Sequence, residues 1–219
     1  VYVMVERYLF TLLILFFALT DLVFARESAI EAVDKNNLRV CADPTNLPFS
    51  NENGDGYEND IAKLIGEKLN IPVVYEFFPQ VIGYVRNTLN KKKCDVIIGI
   101  TANHELVLNT IPYMRWSYGM VFLNDNGIEV DRPDHPQLAD LSIGAQAGTP
   151  PTFILQRYNL MSKVRPYNLT FDPRVAVIGE TMIEDLIDGL TDIAFMSGPI
   201  ATYFLGKKGL TKNDYTFIP

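Results

Sequence analysis

The chain is poor in the residues that build metal and covalent chemistry: it holds two cysteines, two histidines and one tryptophan among 219 residues. Cys41 and Cys94 alone cannot supply the four ligands of a structural zinc site. His104 and His135 lie far apart in sequence, with no second cysteine pair to help either of them. No metal and no cofactor is therefore expected. Basic residues are also scarce, 19 Lys and Arg against 26 Asp and Glu, for a formal net charge of −7. An acidic chain without a basic stripe is a poor partner for nucleic acid or for an anionic lipid surface.

Long apolar runs are missing except at the start. Glu6 and Arg7 precede an uncharged stretch over 8–19 (YLFTLLILFFAL), and Val23-Phe24-Ala25 offers a signal-peptidase site. Residues 1–25 read as a cleavable signal peptide, which sends the chain to the periplasm and limits its membrane contact to that segment. A transmembrane anchor is the competing reading, but it needs about 20 predominantly apolar residues, and Asp21 interrupts this run. Residues 26–37 read as a linker. In an oxidising compartment two cysteines are compatible with one disulfide.

Beyond residue 37, short β-rich runs alternate with helical ones, the pattern of parallel βαβ units. Strands are expected over 38–42, 71–77 and 95–100. A helix over 58–69 would carry Ile61, Leu64, Ile65 and Leu69 on one face, and a second over 81–91 would gather Ile82, Val85 and Leu89. An extended aromatic run over 115–123 closes this first α/β lobe, assigned to 38–123. A polar, turn-rich stretch marks the crossover. The second lobe, 124–213, repeats the theme with strands over 142–145, 164–171 and 192–195 and helices from 149, over 181–190 and over 199–205. Two α/β lobes facing each other make a cleft.

Ligands of open α/β sheets sit beyond the carboxyl ends of the strands, so the strand assignment selects the loops. These are 43–56, 79–80, 101–105, 146–149 and 197–198. Asp43 is a cleft acceptor or a turn residue before Pro44. Phe49 and Tyr57 stack on a ligand or close the lobe. Gln80, Thr101, Gln146 and Ser197 lie at strand exits. Gly148 and Thr149 precede Pro150 and Pro151 at a helix start, which either aims N–H groups into the cleft or is only a capped turn. His104 stands where a general base would, yet no Ser, Cys or carboxylate lies beside it at nucleophile spacing. No enzyme is expected on these residues.

These loops carry a resemblance. The run LRVCADPTNLPFSNENGDGYENDIAKLIGEKL, with CDVIIGIT, SIGAQAGT and TDIAFMSGPIATYFL in the same order, resembles the amino-acid type of periplasmic solute-binding proteins, extracellular solute-binding family 3. That likeness implies the type II periplasmic-binding-protein fold. The runs CADPTNLPFSN, PQVIGYVRNTLNKKKCDVIIG and SGPIATYF look like the MoxJ/XoxJ-like group encoded beside periplasmic quinoprotein methanol dehydrogenases. The second likeness implies a role in methanol oxidation, with the dehydrogenase and its cytochrome c as partners.

The departures from the amino-acid receptors have physical meaning. A free amino acid needs a buried cation for its carboxylate and a buried anion for its ammonium, because either charge is costly to desolvate unpaired. The segment TANHELVL lacks the arginine those receptors carry there, and Ser197 occupies the place of their aspartate. Transport of a small polar solute and a dehydratase on the same fold remain as alternatives. The resembled proteins also continue past the last helix into a strand returning to the first lobe, so 214–219 reads as the start of a shortened return segment. For the cysteines, Cys94 enters the third strand while Cys41 leaves the first. Strands rise about 3.3 Å per residue, and opposite ends would exceed the reach of about 7 Å between Cα atoms unless the register shifts. One disulfide and two buried thiols both stay open.

Overall fold

A computed structural model describes residues 34–168 and 177–219. The signal segment, most of the expected linker and the end of the strand expected over 164–171 lie outside the described residues. Among the described residues no helix is long and apolar enough to cross a membrane.

The first lobe holds β1 (Leu38–Ala42), β4 (Val73–Phe77) and β5 (Val96–Ile97) in a parallel sheet ordered β4-β1-β5. Between β1 and the helix α1 (Tyr57–Leu69) lies a two-stranded hairpin of β2 (Thr45–Asn46) and β3 (Ser50–Asn51). A short helix α2 (Tyr84–Asn87) and a 3-10 turn (Leu89–Lys91) precede β5.

The second sheet has five strands, ordered β10-β6-β9-β7-β8. Its parallel part is β8 (Val164–Tyr167), β7 (Ile143–Gln146) and β9 (Ile193–Ser197). β6 (Tyr118–Leu123) runs antiparallel beside β9, and β10 (Tyr215–Ile218) pairs antiparallel with β6 and so points the same way as β9. Helices α3 (Pro150–Arg157), α4 (Ile178–Ile187) and α5 (Gly198–Lys207) complete this lobe.

Several expectations need correction. The extended run expected over 115–123 in the first lobe is a strand only from Tyr118, and it belongs to the second sheet, where Val121 pairs with Ala194. Met120, Val121 and Phe122 are all buried: β10 and β9 flank the strand within the sheet, and its faces are covered by apolar clusters, Met120 and Phe122 in one and Val121 in the other. The stretch 214–219 forms the edge strand of that same sheet.

Helix α1 is turned from its expected face: Leu64 and Leu69 are 53% and 57% exposed, and Ala62 and Gly66 are buried instead. A side chain at Gly66 would meet Val73 Cγ2 at 2.6 Å and the Ile71 carbonyl at 2.9 Å. Close approach of helix to sheet thus outweighs the apolar stripe, and Ile61 and Ile65 flank the contact. The helix expected over 81–91 is broken, because Gly83 takes a left-handed φ of 92° and Thr88 leaves helical geometry, its buried hydroxyl donating to the Tyr84 carbonyl at 2.6 Å. Ile82 is left 80% exposed. The third strand stops at Ile97 rather than 100, since Gly99 turns the chain with φ +82°.

Cys41 and Cys94 are joined in a disulfide with their Cα atoms 5.5 Å apart. Cys94 stands outside the ladder, in the turn ahead of β5. The in-strand spacing that counts against the bond therefore does not apply. The bond is buried with Tyr84, Val85 and Ile97 in one of the first lobe's two apolar clusters.

Candidate functional site

The carboxyl ends of β1, β4 and β7 meet at a cavity of about 150 Å³ between the lobes, lined by Asp43, Asn46 and Gln80 on one side and Gln146, Gly179 and Ile200 on the other. A larger groove of about 620 Å³ runs along the first lobe past β5, bordered by Gly99, Thr101, Tyr113, Arg115, Trp116 and, from the second lobe, Pro150.

Asp43 is 6% exposed, and both its oxygens are engaged. The Thr45 N–H donates to Oδ1 at 2.8 Å and the Gln80 N–H to Oδ2 at 2.6 Å. Its carbonyl accepts from the Ser50 hydroxyl at 2.9 Å. This carboxylate closes the turn at Pro44 and ties the loop after β1 to the loop after β4, a use of charge that short-range sequence cannot reveal. Gln80 is exposed, and its side chain accepts from Asn46 at 3.4 Å.

In the turn before α3 the Ala147 N–H donates to the Tyr167 carbonyl at 2.8 Å. The Thr149 N–H and hydroxyl both reach the Gln146 carbonyl, at 3.4 and 2.6 Å, and the Thr152 N–H reaches the Thr149 carbonyl at 3.0 Å. Pro150 and Pro151 have no N–H to offer. Gly148 takes φ +74° to make this turn. The Thr149 side chain therefore bonds back to its own loop and does not cap α3.

Phe49 is 6% exposed, with its ring centroid 5.3 Å from Tyr57 and 5.4 Å from Trp116. The first contact is edge-on and the second tilted. His104 accepts the Leu106 N–H on Nδ1 at 3.2 Å, and His135 accepts the Gln137 N–H in the same way, also at 3.2 Å. Both histidines cap turns, and among the described residues neither has a side-chain partner in the geometry of a nucleophile and base. Thr101 is exposed at the groove. Ser197 is 4% exposed, sits at the start of α5 and lines neither cavity.

Three residues escaped the sequence, two lining the groove and one packed behind its wall. Glu58 is 4% exposed, and burial, then the charge of Asp43, pushes its carboxyl up to about 8. At the second position of a helix it reads as a solvated first-turn acid, and only its packing against Gly99 reveals otherwise. Trp116 and Arg115 belong to a run that alternates like a strand, yet 115–117 is irregular and borders the groove. Arg115 is the one cation lining either cavity among the described residues, while Asp95 is paired with Arg39 at 2.6 Å.

Two α/β lobes around a cleft at the strand ends define a type II periplasmic-binding-protein fold. The model of the bacterial extracellular solute-binding proteins, family 3, matches residues 38–214, and the chain belongs to that family. It is 30% identical over 183 residues to Protein MoxJ of Paracoccus denitrificans, covering 78% of this chain and 66% of that protein. To Protein MoxJ of Methylorubrum extorquens it is 29% identical over 212 residues, covering 89% and 68%. The crystal structure of the periplasmic binding protein XoxJ from Methylobacterium extorquens AM1 matches with a TM-score of 0.67 and 33% identity, over 83% of this chain and 76% of that one. The chain thus spans about two thirds of the length of the MoxJ proteins it matches.

Proposed function

We propose that this chain is a periplasmic solute-binding-type accessory protein of methanol oxidation, acting with a quinoprotein methanol dehydrogenase and its cytochrome c rather than feeding a transporter. The observation that carries this reading is the state of the interlobe cavity. Among the described residues its one acid, Asp43, has both oxygens bonded to backbone N–H groups, and no cation lines it. A free amino acid placed there would find no cation for its carboxylate among the described residues, and its ammonium would meet a carboxylate already bonded to two backbone N–H groups, a poor return for desolvating both charges. Similarity to the MoxJ proteins supports the same reading.

Arg115 favours a second reading, a receptor for a small carboxylate-bearing solute held at the groove. The two are separated by one pair of measurements on the full chain. An accessory protein is expected to copurify with the dehydrogenase's large subunit and to show no rise in melting temperature with amino acids or small carboxylates. A receptor would instead be stabilised by RT ln(1 + [L]/Kd), and that gain would vanish in Arg115→Ala. Failure to copurify together with ligand stabilisation would overturn the accessory role.

A further inference from the structure

Glu58 is a buried acid whose surroundings are arranged for its neutral form. The carboxyl lies against Gly99, occupying the space where any side chain at that position would stand. Gly99 takes φ +82°, a conformation that suits glycine alone, so this turn is built to receive the carboxyl. The groups that feel Glu58 come from every element around it: Asp43 after β1, Tyr57 beside it on α1, Tyr84 on α2 and Tyr113 on the groove segment. None is a cation. Each tyrosine is held above its usual range first by burial, with Glu58 a further cause, and Tyr113 reaches about 12. The Tyr57 hydroxyl is buried with no partner among the described residues.

We propose that Glu58 is a protonation latch between helix α1 and the Gly99 turn, and that its state governs the groove wall carrying Tyr113 and Trp116. With the proton on, the carboxyl packs against Gly99 as a neutral group. With the proton off, a buried anion feels the charge of Asp43 and has no counter-ion among the described residues, and relief comes when the turn and the segment that follows it move off the helix to admit water. Trp116 leaves Phe49 in that movement. The inference stands apart from the accessory role, since it rests only on this packing.

Trp116 is the sole tryptophan, so the chain carries its own reporter. Its emission, titrated on the full chain from pH 4.5 through and beyond 8, is expected to shift to the red in one transition near pH 8. Glu58→Gln, which mimics the protonated acid, should hold the low-pH spectrum throughout. Gly99→Ala should show the high-pH spectrum already at neutral pH, because its methyl group displaces the carboxyl; this arm decides the matter if Glu58→Gln does not fold. A transition in Glu58→Gln matching that of the parent overturns the latch. So does a parent with no transition, or a Gly99→Ala protein that keeps the parent's neutral spectrum.

Discussion

The two lobes share an architecture but are held together differently. The second has five strands and two apolar clusters of ten buried residues each. The first has three principal strands, and its two clusters hold five and three. What the first lobe lacks in apolar burial it replaces with ties: the Cys41–Cys94 disulfide, the Asp43 carboxylate spanning two loops and the Arg39–Asp95 pair. It also leaves apolar surface uncovered, with Leu108 and Ile111 101% and 89% exposed beside the groove. A small core buries too little surface to offset chain entropy, and cross-links are the usual supplement. The lobe poorer in packing is also the one that carries the larger groove.

The disulfide offers the largest test of this contrast. Cys41→Ser with Cys94→Ser, or reduction of the parent, should cost about 4 kcal/mol on the chain-entropy scale for partners separated by 53 residues. Hydrogen exchange should report that loss in β1, β4 and β5 while β7 and β9 stay protected; equal loss in both sheets would dissolve the distinction between the lobes. Leu155→Ala probes the opposite case. Leu155 is fully buried in the second lobe, and its truncation should cost about 3 kcal/mol, read as a lower urea midpoint with exchange quickening first around β7.

Asp43→Ala should be milder, about 1–3 kcal/mol, because it strands two N–H groups near the surface of the cleft. Its signature is local: faster exchange of the Thr45 and Gln80 amides, with the second lobe untouched. Smallest of all is His104→Ala, expected within about 0.5 kcal/mol of the parent in a thermal melt, since the ring only caps a turn. A larger effect would mean that His104 supports the groove wall.

Much of the fold was legible because local pattern and global role agree. The strands at 38–42 and 192–195 and the helices at 58–69 and 199–205 lie within a few residues of β1, β9, α1 and α5, for apolar runs and helical spacing mark where an element stands even where, as in α1, they do not mark the face it buries. Periodicity misled where backbone contact took precedence. In α1 the close approach at Gly66 rotates the helix away from Leu64 and Leu69. In α2, Gly83 and Thr88 cut a periodic stretch to four helical residues. The site was less legible than the fold. Asp43, Thr149 and His104 have the right chemistry at the right loops, but each accepts or donates to a backbone group a few residues away, or in Asp43's case also 37 residues on.

By itself the sequence determined the type of element along most of the chain, the α/β class and the acidic character. These follow from short-range patterning, which each segment carries alone. Tertiary structure decided that the strand from Tyr118 joins the second sheet, that Cys94 lies within bonding reach of Cys41, that Asp43 is a tie between loops and that Glu58 is buried against Gly99. Each of these depends on which distant backbone stands alongside, and on how much water that neighbour excludes.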